Sequence, residues 1–169
     1  MEKNVIKAIL ACDEEGGVSR DGTLPWPNNS KDLSWFKNNT AGHIVVMGST
    51  TWADPHMPRP LPNRRNYVAT SRPDDHSGAH GYIQGDIKSA IIGIADDNPG
   101  LITWVIGGPN IIDQTLGIID EFYVSRIPGK YDCDTFLPLA KIETLFKLDY
   151  SEEHPGVTFQ IWRKRETVS

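Results

Sequence analysis

The chain has 169 residues, 38% of them hydrophobic and 23% charged, and a formal net charge of −5. That length supports a sizeable core and predicts one domain over residues 1–169. The acidic balance lacks the basic stripe that a phosphate backbone demands, which excludes a nucleic-acid partner.

Val5–Cys12 is almost continuously apolar and stops at Asp13-Glu14-Glu15, so it predicts a buried central strand. It is too short to span a membrane and carries no small-residue cleavage site; a cytoplasmic protein without a membrane partner is expected. Gly16 to Pro27, punctuated by glycine and proline, predicts a long loop. Ser30 predicts the N-cap of a short helix over Lys31–Asn39. His43–Gly48 is the next buried strand, and Pro55, Pro58, Pro60 and Pro62 stiffen the loop that follows. Asn66–Ser71 and Tyr82–Gln84 predict further strands, and Ile87, Ala90, Ile91 and Ile94 recur at helical spacing. Leu101–Ile106 is a strand that runs into Gly107-Gly108, and Pro109–Leu116 opens with proline at a first helical position. Phe122–Ile127 and Val157–Arg163 read as a late antiparallel pair. Short apolar runs alternating with helical patterns point to an α/β sheet. Cys12 and Cys133 match no metal spacing, and the five histidines form no helical i, i+4 pair, so two buried free thiols and no metal are expected.

Four local patterns bear on chemistry. Asp32 stands in Asp-Leu-Ser-Trp-Phe, six residues after Trp26 of the Leu24-Pro25-Trp26 turn. A first-turn acid suits the helix dipole and needs no further role. Desolvated by Trp26, Leu33 and Phe36, the same carboxyl acquires a raised pKa and suits a group that manages a proton; it also matches an N–C–NH2 edge. Ile106-Gly107-Gly108 is either a tight strand-to-helix turn or a place where a ligand approaches the backbone. It is neither a Gly-x-Gly-x-x-Gly fingerprint nor a phosphate loop. Thr70-Ser71-Arg72 is a polar turn able to hold a phosphate monoester, and Gly48-Ser49-Thr50-Thr51 offers hydroxyls and backbone donors at a helix start. Arg64, after Pro60-Leu61-Pro62, is a surface arginine or a carboxylate clamp.

Taken together, Leu-Pro-Trp, Asp-Leu-x-Trp-Phe, Val-Val-Met-Gly-x-x-Thr-Trp, Pro-Leu-Pro-x-Arg, Thr-Ser-Arg, Val-Ile-Gly-Gly and Asp-Thr-Phe-Leu-Pro resemble the dihydrofolate reductase family, in order, from Val5 to about Trp162. The resemblance implies a three-layer α-β-α architecture, with a mixed, mainly parallel sheet of about eight strands. It implies hydride transfer from NADPH to C6 of dihydrofolate while N5 gains a proton, a role in one-carbon metabolism, and antifolate binding by a monomer.

Carried over, Asp32 would bind the pterin N3 and 2-amino edge and promote N5 protonation through water. Trp26 would hold that water, and Ser125 would hydrogen-bond to Asp32 from behind. Ile9 and Ile106 would present carbonyls to the pterin; Leu33, Phe36, Met57 and Leu61 would grip the rings, and Arg64 the glutamate α-carboxylate. Ala11, Leu24 and the Gly16–Thr23 loop with Ser19 would cover the nicotinamide. Gly48, Ser49, Thr50 and Thr51 would face the pyrophosphate, with Ile106, Gly107, Gly108, Asn110 and Ile111 beneath it, and the Gly-Gly bond would be cis. Thr70, Ser71 and Arg72 would bind the 2′-phosphate. Ser19, Ser49 and Ile112 depart from the family's usual glycine, basic residue and aromatic hydroxyl. Two other readings remain open at this level: a same-fold pyrimidine reductase of riboflavin synthesis, and a non-catalytic folate- and NADPH-binding module.

Overall fold

Strand β1 (Ile6–Cys12) lies inside an eight-stranded sheet because both of its faces are apolar: Ile9 joins one core cluster, while Ile6, Ala8 and Cys12 join another. The computed structural model describes residues 5–21, 23–27, 29–54, 57–71 and 78–165. In chain order it continues with β2 (Gly17–Ser19), α1 (Ser30–Thr40), β3 (Ile44–Gly48), α2 (Ser49–Trp52), β4 (Arg65–Ala69), β5 (Gly81–Ile83), α3 (Ile87–Asp97) and β6 (Thr103–Gly107). Then come α4 (Pro109–Thr115), β7 (Glu121–Arg126), β8 (Thr135–Phe136), α5 (Leu139–Leu145), β9 (Phe146–His154) and β10 (Val157–Lys164).

The main sheet has the order β5-β4-β3-β6-β1-β7-β10-β9. Neighbours are parallel from β5 to β7, and β10 runs antiparallel between β7 and β9. Side-chain alternation sorts the core onto two faces. Val45, Met47, Trp104 and Ile106 meet Trp35 and Phe36 of α1 and Trp52 of α2, whereas Ile44, Val46, Val105 and Phe122 meet Ile91 of α3, Ile112 of α4 and Ile142 of α5. Helices on both faces give the three layers expected, and β7 and β10 form the expected antiparallel pair.

Four expectations are corrected. The cap of α1 is Asn29, not Ser30: Asn29 is extended and its side-chain oxygen accepts from Asp32 N at 3.0 Å, which leaves Ser30 already helical. The Gly16–Pro27 segment is not all loop, since β2 pairs antiparallel with β8 and Val18 is buried in the core. Helix α5 and strand β9 were not expected; β9 is an edge strand that is mostly exposed and carries little apolar pattern to read. Both cysteines are free, but only Cys12 is buried; Cys133 is half-buried beside the β2–β8 pair.

Candidate active site

The parallel strands β3, β6 and β1 end on the same side of the sheet, where Gly48, Ile106 and Gly107 lie, whereas Leu61 and Arg64 precede the start of β4. Asp32 lies in the first turn of α1 and is partly buried. Desolvation raises its pKa above the ordinary carboxylate value, and the nearby Ser125 hydroxyl pulls it part of the way back. Ser125 is buried on β7, beside Ala11 of β1, and its Oγ makes no protein hydrogen bond of standard geometry. The expected Ser125–Asp32 bond is therefore a proximity that influences the acid rather than an aligned hydrogen bond. Trp26 is only 7% exposed and packs with Ala11, Trp35, Ile127, Val157 and Phe159, its ring edge-on to Tyr131 at 5.9 Å. Trp35 stacks on Phe159 at 4.3 Å, which fixes the α1 face that carries Asp32 against β10.

Phe36, Met57 and Leu61, three of the four residues expected to grip the rings, belong to one apolar cluster with Ile9 and Ile106. Leu33 is 50% exposed and is not part of that cluster. Arg64 is 9% exposed, and its Nε donates to Pro62 O at 2.9 Å and its Nη1 to Thr40 Oγ1 at 3.0 Å. Its guanidinium also sits 5.8 Å from the Phe36 ring centre, and burial draws its pKa below the usual arginine value. Among the described residues no carboxylate pairs with it, and its acceptors at Pro62 and Thr40 are a carbonyl and a hydroxyl, both neutral.

On the other side of β1, Gly48 ends β3 and Gly107 ends β6, with Met47 opposite Gly107. The Gly107–Gly108 peptide is cis, as the resemblance implied. Gly107 has φ +130°, and a Cβ there would lie 3.2 Å from Thr51 Oγ1 and 3.3 Å from a Leu10 methyl. Neither α2 nor α4 has a side-chain cap, and α4 opens with Pro109, which carries no N–H to satisfy. Thr70 and Ser71 follow β4, whose last residue, Ala69, pairs with Gly48; Ser49 Oγ donates to Ala69 O at 3.4 Å. A glycine-lined crevice with two helix starts and hydroxyls beside it fits a dinucleotide pyrophosphate.

A family model described as dihydrofolate reductase matches residues 5–161. The chain belongs to the dihydrofolate reductase family. Membership makes it an enzyme, an NADPH-dependent oxidoreductase. The type 8 dihydrofolate reductase of Escherichia coli is 30% identical over 165 residues, covering 95% of this chain and 96% of that protein. The dihydrofolate reductase of Bacillus subtilis is 33% identical over 153 residues, covering 88% and 84%. Among solved structures, the Enterococcus faecalis dihydrofolate reductase complexed with NADP(H) and RAB-propyl matches with a TM-score of 0.82 at 25% identity, covering 96% of this chain and 98% of that one.

Within this dihydrofolate reductase fold the remaining expected residues fall as follows. Leu24 is exposed at 44%, Ile111 is buried behind Gly48, and Asn110 is exposed with its side-chain oxygen taken by Gln114. Thr50 is exposed at the start of α2. Ile112, on α4, is fully buried in the core, so it contributes packing where the family commonly has an aromatic hydroxyl. Arg72 lies outside the described residues.

Two residues that organise the site escaped the sequence reading. Asn66 is fully buried: its side chain accepts from Leu61 N at 2.9 Å and donates to Leu61 O and Arg64 O, fixing the turn that presents Arg64. The signal was a lone amide inside the strand run Asn-Tyr-Val-Ala. Asp13 is the other, buried where β1 ends, and nothing but its unusual burial marks it.

Proposed function

We propose that this chain reduces 7,8-dihydrofolate to tetrahydrofolate with NADPH as hydride donor. The observation that carries the proposal is Asp32: a carboxyl with a raised pKa, set on α1 near Ser125 and one turn before Trp35, which packs in the same cluster as Trp26, and across β1 from a glycine crevice suited to a dinucleotide.

Bound in that crevice, NADPH supplies the hydride. Gly48, Ser49, Thr50, Thr51, Gly107, Gly108 and Asn110 would hold its pyrophosphate, Thr70, Ser71 and Arg72 its 2′-phosphate, and Ala11, Ser19 and Leu24 would cover the nicotinamide side. Leu33, Phe36, Met57 and Leu61 grip the substrate rings and exclude water, and Ile9 and Ile106 present backbone carbonyls to the pterin, which together hold the reacting carbons in near-attack contact. Arg64 accepts the glutamate α-carboxylate, an ion that its buried guanidinium pairs through charge-assisted hydrogen bonds. Asp32 holds the N3 and 2-amino edge of the pterin and promotes protonation at N5, with Trp26 positioning the water that delivers the proton. Its raised pKa suits this task because a larger share stays protonated near neutral pH.

The joint presence of Asp32 and Arg64 favours dihydrofolate over a ribosylated pyrimidine, which requires neither. The test is NADPH oxidation by the purified chain with each substrate in turn, and with NADH in place of NADPH. Oxidation that requires dihydrofolate and prefers NADPH is expected; tight binding of both without turnover would overturn the proposal.

A further inference from the structure

The segment that follows β1 is strapped to the chain between β7 and β8, and Asp13 is its buckle. Asp13 is 1% exposed. One carboxylate oxygen accepts from Glu15 N at 2.9 Å and Gly17 N at 2.8 Å; the other accepts from Tyr131 N at 3.1 Å and from the Cys133 thiol at 3.5 Å. None of these four partners is a cation. A buried carboxylate is costly unless its lone pairs are filled, and here backbone donors from two distant segments fill them. Burial alone would push its pKa up, but the N–H donors of Gly17, Tyr131 and Glu15 and the thiol outweigh that and hold the acid below the ordinary carboxylate value.

The contacts on either side make the strap continuous. Glu14 N donates to Gly129 O and Gly129 N to Glu14 Oε1, each at 3.0 Å. Leu137 N donates to Gly16 O, Asp134 N to Ser19 O, and Asp21 N to Asp134 Oδ2 at 2.8 Å. The Ser19 and Thr135 hydroxyls meet in a short contact. Gly17 has no room for a side chain, since a Cβ would fall 2.5 Å from Cys133 and 3.0 Å from Asp13 Oδ1. Tyr131, held through its N–H by Asp13, packs edge-on against Trp26.

We propose that Asp13 is a positioning residue that sets two parts of the active site at once: the residue 16–23 segment over the cofactor, and, through Tyr131, the Trp26 ring, which shares a cluster with Trp35 of the Asp32-bearing helix α1. The proposal rests on the reading of residues 16–23 as the nicotinamide cover. An amide cannot replace the carboxylate, because its NH2 group would face at least one of the four donors.

The test compares Asp13→Asn, Cys133→Ala and Cys133→Ser with the unaltered chain, by amide hydrogen exchange over residues 14–23 and 129–137 and by single-turnover hydride transfer. In Asp13→Asn, exchange in both segments should speed up together by about tenfold or more. Hydride transfer should slow by about tenfold to a hundredfold while dihydrofolate affinity stays within about twofold. Cys133→Ala should show a smaller loss and Cys133→Ser should restore it, which keeps the idea testable if Asp13→Asn folds poorly. Unchanged exchange in Asp13→Asn and Cys133→Ala would overturn the strap. Faster exchange with normal hydride transfer would overturn the positioning role and the cover reading beneath it. The exchange arm reads the strap whatever the reaction, so failure of the dihydrofolate reading is a separate result.

Discussion

Asp32 shows how one side chain is tuned by two opposing neighbours. Desolvation on α1 raises its pKa, and the Ser125 hydroxyl opposes that rise. Asp32→Asn should keep NADPH affinity and slow the single-turnover rate at neutral pH by on the order of 10²–10⁴-fold, the usual range for a lost general acid. In the unaltered chain that rate should fall as pH rises through the raised pKa. The same shift has a stability consequence. Above the unfolded carboxyl's pKa the folded state holds a proton that the unfolded state has released, so stability declines with rising pH until the folded pKa is passed. Urea midpoints measured across that window should slope downward, and Asp32→Asn should flatten the slope. Arg64 makes the opposite kind of contribution: its geometry is fixed by Thr40 and Pro62 before any ligand arrives. Arg64→Leu should raise KM for dihydrofolate on the order of 10–100-fold, the worth of a hydrogen-bonded charge, and change kcat little.

At the scale of the element, α1 depends on a cap that the chain order alone does not single out. Asn29, Ser30 and Asp32 are all good N-terminal residues, and only the backbone shows that Asn29 takes the extended cap conformation. Its side-chain nitrogen also donates to Gly156 O at 2.9 Å, tying α1 to the β9–β10 turn. Asn29→Ala should therefore cost about 1–2 kcal/mol in a urea titration, the upper part of the range for a lost cap. Strand β2 offers a coupling test. Gly17→Ala should destabilise by about 1–3 kcal/mol through overpacking against Cys133, and Gly17→Ala combined with Cys133→Ala should lose less than the sum of the two. The buried parallel strands β1, β3 and β6 were legible because burial on both faces leaves unbroken apolar runs. Edge strand β9 was not, since Lys147, Asp149, Glu152 and Glu153 are what an exposed edge carries to discourage pairing with other chains.

For the whole molecule, the sheet is the scaffold and the site is the set of ends it brings together. Ile9, Gly48, Ile106 and Ser125 are separated by up to 116 residues but sit on adjoining strands because β6 inserts between β3 and β1. A ligand that binds only this assembled end must stabilise the fold. The thermal midpoint should rise progressively with NADPH, by about 2.7 kcal/mol equivalent at a hundredfold excess over Kd, and less with NADH at equal concentration. The sequence by itself determined the α/β class and the run of main strands along the chain, because these depend on local periodicity; it left Asp32 between a helix-dipole acid and a proton group, and Gly107-Gly108 between a tight turn and a ligand approach, until the ordered motifs were taken together as a family resemblance. Only the tertiary structure decided that Asn66 braces Arg64, that Ser125 approaches Asp32 without an aligned bond, and that Asp13 straps the segment after β1 to Tyr131. Those roles come from burial and from donors more than a hundred residues away, or across a turn, which no run of neighbouring residues encodes.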